Sequence, residues 1–317
     1  MVVRAAPTAL IQAQQEKRHR TLGERLRRNL PGYLFIAPWL FGFFVFTFGP
    51  FLWSLYLSFT DWRILGTPQW VGLDNYRTLI AHDPLFRITL KNTVYYGVFH
   101  VIGVNLISLA LAQLLNQKLR GFPLFRTLFY LPTVTSGVAT ALVFSLMFNG
   151  NTGIINAFLN IFGIHGPNWL FSAQWTMPAL ILMSLWDIGT PMIIYLAALQ
   201  NVPAGLTEAA LIDGAGRWQR FRSVILPLIS PAIFFNVIVG IIGAFKVFTP
   251  AKVITNGGPA NHTLFYVLYL YRQAFENLRM GYASALGWIL FLIIFAFSAV
   301  QLVISRRWVY YESGDGV

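Results

Sequence analysis

The sequence predicts an all-α integral membrane protein with six transmembrane helices, and three observations carry that reading. Only 11% of the 317 residues are charged while 56% are hydrophobic, whereas a soluble domain carries about 25% charged residues. So little charge cannot cover a water-facing surface. Six stretches then supply the roughly 20 mostly apolar residues that cross about 30 Å of hydrocarbon at a helical rise of about 1.5 Å per residue. Their apolar positions lack the strict alternation of barrel strands, which selects helices. The third observation is aromatic content, 16% of the chain with ten Trp and thirteen Tyr, since such rings favour the headgroup boundary.

The stretches cover residues 33–59, 93–115, 124–148, 175–199, 228–248 and 283–305. They divide the chain into a basic cytoplasmic tail (1–31), a membrane domain (32–307) and a cytoplasmic C-terminal tail (308–317). Lys and Arg concentrate on the cytoplasmic side of a membrane protein. With both termini inside, the inner segments hold seven basic residues ahead of the first stretch, then Lys118, Arg120, Arg126, Arg217, Arg220, Arg222, Arg306 and Arg307. The outer segments hold only Arg63, Arg77, Arg87, Lys91, Lys252, Arg272 and Arg279, and residues 149–174 contain no Lys, Arg, Asp or Glu. Both termini are therefore expected in the cytoplasm, with the protein multi-pass in the cytoplasmic (inner) membrane. The first 31 residues show no apolar core with a cleavage site, so no removable signal is expected. Residues 8–30 suit an interfacial helix on anionic lipid and a solvated tail equally.

The net charge of +12 lies mostly between the apolar stretches, which points to membrane orientation and not to nucleic acid. Cysteine is absent, which removes disulfides and thiolate metal sites. No Gly-Lys dipeptide occurs, so no phosphate-binding P-loop exists here, and the five His show no metalloprotease spacing. No catalytic residue, metal ligand or cofactor is expected in this chain.

Polar groups inside apolar stretches point to a pathway. Asp187 lies near the middle of the fourth stretch, where a carboxylate is costly unless it faces protein or water. It follows Trp186 and precedes Gly189 and Pro191, residues that break or kink a helix and free backbone groups for a cavity. Asp187 fits a solute pathway or gate, and equally a buried carboxylate bonded to a neighbouring helix. Trp186 and Asn236 are further pathway candidates. Lys246, within the fifth stretch near its outer end, is expected to snorkel outward.

The inner segment between the fourth and fifth stretches, residues 199–227, is organised. Residues 207–211 read as a short helix opened by a cap at Thr207; Asp213, Gly214, Ala215 and Gly216 supply a turn. A second helical stretch over 218–225 runs up to Pro227, giving a helix-turn-helix unit. Small residues at Ala209, Ala210, Gly214 and Ala215 admit another surface close to the backbone.

The series Glu208-Ala209-Ala210, Asp213-Gly214-Ala215 and Val224-Ile225-Leu226-Pro227 resembles the EAA loop of permease subunits in binding-protein-dependent ABC importers. The one small departure is Val224, where the pattern often has Ile. Residues 86–93, 195–203, 255–259 and 280–285 resemble the carbohydrate branch of that family, for maltose-like oligosaccharides and glycerol phosphate; the likeness spans about 33–307. The resemblance implies that the segment is a cytoplasmic coupling helix docking on an ATPase subunit through Glu208, Ala209, Ala210, Asp213, Gly214, Ala215, Leu226 and Pro227. It further implies a second homologous permease subunit, a dimer of ATPase subunits holding ATP and Mg, and an extracytoplasmic solute-binding protein that faces the turn at 255–259.

The rival class is a secondary transporter driven by an ion gradient, which normally carries coupling carboxylates and often inverted halves. One acidic residue in six stretches fits it poorly. Uptake in intact cells separates the two: we expect it to stop when ATP hydrolysis is blocked and to persist when ion gradients are collapsed, and the reverse pattern would favour the rival.

Overall fold

The computed structural model describes residues 22–117 and 121–310. Residues 1–21, residues 118–120 with Lys118 and Arg120, and the tail from 311 onward lie outside the described residues. The chain divides into two compact units after Tyr56.

In the first unit, α1 (Leu22–Phe43) passes through a π turn (Phe44–Phe48) into α2 (Gly49–Ser58). The wide turn has a local cause. Pro50 brings no N–H and its ring would strike the carbonyl four residues back, and the π turn, closed by Gly49 N–H donating to Phe44 O, ends immediately before it. From residue 30 onward the helix is apolar around its circumference and exposes Phe35, Trp39, Phe46 and Trp53, as a helix solvated by lipid does.

In the second unit, a short hairpin, β1 (Thr60–Asp61) and β2 (Gln69–Trp70), pairs Thr60 with Trp70. Then come α3 (Asp74–Arg77), α4 (Pro84–Leu115), α5 (Phe122–Val134), α6 (Gly137–Met147) and α7 (Ile154–Ile161). They are followed by α8 (Thr176–Ser184), α9 (Gly189–Gln200), α10 (Ala204–Ile212) and α11 (Arg217–Leu228). The last are α12 (Ser230–Phe245), α13 (Tyr266–Tyr271) and α14 (Met280–Ser305). The long α4 is the central post, with α9 and α12 packed along it. One apolar cluster, including Leu79, Phe86, Phe148, Phe265 and Leu286, fills the end near residue 83; a second, including Ala112, Leu115, Met192, Tyr195 and Ile229, fills the other end.

Two expected spans, 124–148 and 175–199, are not single straight helices, and a third bend stands at the entry of the fifth. α5 and α6 meet at 99°, α8 and α9 at 45°, and α11 and α12 at 68°. The 124–148 stretch in particular breaks at Thr135 and Ser136, whose backbones are extended. Each break carries a hydroxyl that accounts for a carbonyl of the interrupted turn: Thr135 Oγ1 donates to Pro132 O at 2.6 Å, Ser184 Oγ to Ile181 O at 2.7 Å, and Ser230 Oγ to Pro227 O at 2.6 Å. Ser108 of α4 donates to Ile188 O at 3.0 Å, at the second break. Lys246, expected within a span, instead stands exposed just past α12 as its C-cap.

Asp83 organises the end of the bundle where α4 begins. Its Oδ1 caps α4, accepting from Leu85 N at 2.9 Å and Phe86 N at 3.2 Å, ahead of Pro84 at the first helical position, where a missing N–H costs nothing. Its Oδ2 accepts from the Tyr269 hydroxyl at 2.6 Å and from the Tyr282 hydroxyl. One carboxylate thus joins α4, α13 and α14. Burial, and then the bonded Asp83 carboxylate, push the Tyr269 hydroxyl well above the ordinary phenol range, so it remains a donor. Thr93 Oγ1 accepts from Tyr266 N at 2.9 Å, capping α13 from α4. Gly281 allows α14 to meet the hairpin, because any Cβ there would run into the Thr60 carbonyl.

Leaving a buried polar group unpartnered costs about 1–3 kcal/mol, and Asp83→Ala strands two buried phenols and the α4 cap together. We expect a clear drop in melting temperature in detergent for Asp83→Ala and a smaller one for Asp83→Asn, which keeps one acceptor oxygen. Unchanged melting for Asp83→Ala would contradict the hub.

Candidate functional site

The α5–α6 and α8–α9 breaks converge on one side of α4 and border a cavity of about 310 Å³. Tyr96 and His100 line it from α4, Thr133 and Thr135 from the end of α5, Thr140 from α6, Ser184, Trp186 and Asp187 from the α8–α9 break, and Val247, Thr249 and Pro250 from the segment after α12. Unwinding at 185–188 directs Trp186 and Asp187 into the space. Gly189 opens α9 immediately afterwards; a Cβ there would press on Phe129 O at 2.7 Å and Thr133 Cγ2 at 2.8 Å, so only glycine admits this approach of α9 to α5.

The polar lining is ordered. Ser184 spends its single proton on Ile181 O, so His100 Nδ1, 2.9 Å from Ser184 Oγ, is the donor of that pair and Nε2 is left as an acceptor. Tyr96 stacks on the imidazole, ring centroids 5.5 Å apart and 6° from parallel. Asp187 is exposed to the cavity and its carboxylate makes no hydrogen bond or ion pair with any described residue. Trp186, half exposed, stands edge-on to Phe144. Carboxylate, imidazole, hydroxyls and aromatic faces around one space match what a hydroxylated solute requires.

The structure brings together Trp186 and Asp187 but not Asn236. Asn236 is buried on α12 and turns toward α9, its Nδ2 lying 3.4 Å from Pro191 O. It stands beside Tyr195, whose hydroxyl donates to Asn105 Oδ1 at 2.5 Å. This is a contact between helices, not part of the cavity wall. His100, Tyr96 and Ser184 were missed in the sequence reading, although a histidine inside an apolar run was an available signal.

The loop between α9 and α12 forms the second region. Its first helix, α10, begins at Ala204, three residues ahead of expectation. Thr207 is not its cap: Pro203 occupies that position, and Thr207 Oγ1 donates back to Ala204 O at 2.7 Å from inside the helix. The end is a Schellman motif, with Gly214 N–H to Leu211 O at 3.0 Å and Ala215 N–H to Ala210 O at 2.9 Å. Gly214 has φ +80°, and no described atom lies within 4 Å of where a Cβ would stand. It therefore serves backbone conformation, and the space beside it is open. The second helix continues through Pro227, contrary to expectation, because a π turn (Phe221–Ile225) closed by Leu226 N–H to Phe221 O precedes the proline. Glu208, Ala209, Asp213 and Gly214 are exposed, Ala210 and Ala215 half-buried, and Leu226 and Pro227 half-buried toward the bundle. Around them Leu206 and Leu211 stand exposed, with Ile212 86% and Trp218 71% exposed.

Comparison with known proteins gives consistent matches. The model for the binding-protein-dependent transport system inner membrane component matches residues 105–310. The chain is 42% identical over 297 residues to the probable ABC transporter permease protein YesP of Bacillus subtilis, covering 90% of this chain and 94% of that protein. It is 36% identical to the arabinooligosaccharides transport system permease protein AraP of Halalkalibacterium halodurans, covering 89% of each. It is 37% identical to the lactose transport system permease protein LacF of Rhizobium radiobacter, covering 88% of this chain and 95% of that protein. A solved bacterial ABC transporter involved in the import of the acidic polysaccharide alginate shares the fold, with TM-score 0.80 at 24% identity over 90% of this chain and 98% of that one.

Asp187→Asn keeps the side chain's shape while removing its charge from the cavity. Because Asp187 supports no internal bond, the variant is expected to melt like the parent while the half-saturation of uptake shifts several-fold or ATPase activity becomes uncoupled. Parental behaviour in both assays would remove Asp187 from the pathway.

Proposed function

Because this chain belongs to the family of binding-protein-dependent transport system inner membrane components, we propose that it is the permease subunit of an ATP-binding-cassette importer that carries a sugar or related polar solute across the cytoplasmic membrane. It hydrolyses nothing itself. ATP and Mg belong to a partner ATPase dimer, and no cofactor resides in this chain. A second homologous permease completes the channel, and an extracytoplasmic binding protein delivers solute; a bacterial alginate ABC transporter of the same fold is solved in complex with an alginate-pentasaccharide-bound periplasmic protein. Relatives named for arabinooligosaccharides and lactose support a carbohydrate cargo.

Among the described residues three helices are individually long and apolar enough to cross a membrane, and the three bent pairs bring the number up to six; in the third pair α12 is the crossing and α11 belongs to the loop. Six crossings over 32–307 leave the tails 1–31 and 308–317 and the loop at 199–227 in the cytoplasm, in line with the distribution of Lys and Arg.

The observation that carries this reading is the exposed knuckle at Gly214. A segment at the membrane surface that turns Leu211, Ile212 and Trp218 outward around a Schellman-capped glycine is built to be covered by another subunit. It is also built to transmit force. α10 follows α9 after three residues, and α11 leads directly into α12, so the loop joins the helix behind Asp187 to the helix leading into Val247 and Thr249. Val202 and Ile225 anchor its two ends in the apolar cluster around Leu199 and Ile229. Movement of the docked knuckle is thereby passed to two walls of the cavity.

Losing one apolar side chain from a buried contact costs about 1.5–3 kcal/mol, or about tenfold or more in affinity. Ile212→Glu, at an exposed position, should leave insertion and melting unchanged and cut ATP-dependent uptake by about tenfold or more. A bulky residue such as Gly214→Trp should abolish uptake while the protein still inserts, and Gly214→Asn, which tolerates a left-handed backbone, should retain more activity. Normal uptake by Ile212→Glu and Gly214→Trp would count against docking.

A further inference from the structure

The helix α7 is inside out for a helix in water. One polar residue is turned inward beside half-buried Ile155 and Leu159: Asn156 is buried, its Nδ2 donating to Gly150 O at 2.7 Å and Pro167 O at 3.1 Å, and its Oδ1 accepting from Trp169 Nε1 at 2.7 Å, while Asn160 is exposed. Its outward stripe is apolar, with Ile154 67%, Phe158 59% and Ile161 77% exposed, and exposed Phe162 and Ile164 extend it. These positions recur at the spacing of one helix face.

We propose that α7 is a membrane-surface helix, seated with the stripe of Ile154, Phe158 and Ile161 in the boundary between headgroups and acyl chains. Three observations favour lipid over a protein partner. Residues 149–174 contain no charged side chain, whereas a protein interface is normally bordered by a polar, often charged rim. The segment connects the ends of α6 and α8, and Phe148 and Leu170 at its two ends share one buried cluster, so the chain holds α7 at the level where spans leave the bilayer. Trp169 and Trp175 stand edge to face beneath it, 5.2 Å apart, the residue type that gathers at that depth. The absence of Lys and Arg adds a quantitative feature: seating depends on apolar area and is independent of anionic lipid.

The chain contains no cysteine, so single spin labels are unambiguous. In the assembled transporter in phosphatidylcholine nanodiscs, labels on Phe158→Cys and Ile161→Cys should collide several-fold more with oxygen than with a water-soluble nickel chelate. A label on Asn160→Cys, off the stripe, should show the reverse, and added phosphatidylglycerol should change neither. Unsubstituted protein should also form carbene adducts within 154–162 from a phosphatidylcholine bearing an acyl-chain diazirine. Chelate access at Phe158 and Ile161 equal to that at Asn160, shielding there from both reagents by a protein partner, or no adducts within 154–162 would overturn the proposal.

Discussion

In hydrocarbon, a backbone N–H or C=O without a partner costs several kcal/mol, and this requirement decides where the helices of this protein are allowed to stop. Two of the expected crossings are interrupted and a third is bent at its entry, and at each of these breaks a hydroxyl from Thr135, Ser184 or Ser230 returns to a carbonyl of the broken turn. Ser108 adds a bond from the unbroken α4 to Ile188 O. The long central helix therefore does more than fill space; it supports irregular backbone that could not stand facing lipid. Two of the π turns answer the same requirement differently, widening the helix ahead of Pro50 and Pro227 so that each proline is carried without a stop.

The cavity follows from those breaks. Unwound backbone between α8 and α9 sets Asp187 beside His100 and the threonines of the neighbouring break, so the polar surface that a hydroxylated solute would use is also the surface that keeps the broken helices satisfied. Around it the bundle is tied at both ends. Asp83 unites α4, α13 and α14 at one end, and the apolar cluster of Leu115, Tyr195, Leu199 and Ile229 holds the roots of the exposed loop at the other. The loop is thus rooted in packed side chains and is joined to the cavity through α9 and α12.

The loop itself was legible because its constraints are local. Gly214 closes a helix by adopting φ +80°, a conformation set by its own backbone, and the spacing from Glu208 to Pro227 is a property of the chain alone. Its boundaries were less legible: Pro203 at the cap and a π turn before Pro227 give the same composition a longer first helix and an uninterrupted second one. Asn236 shows the other limit. A polar residue in an apolar run signals a partner, but only packing places Asn236 against the backbone of α9 and off the cavity wall. Asp83 escaped notice because its four bonds come from residues up to 199 positions distant.

By itself the sequence determined that the chain lives in a membrane, roughly where its apolar stretches lie, and that a capped polar knuckle separates the fourth from the fifth, because hydropathy and turn chemistry are written in neighbouring residues. Only the tertiary structure decided which stretches bend, which side chains meet across the cavity, and which face of α7 turns outward. Those outcomes rest on hydrogen bonds and close approaches between segments far apart in the chain, and periodicity along one segment carries no record of its neighbours.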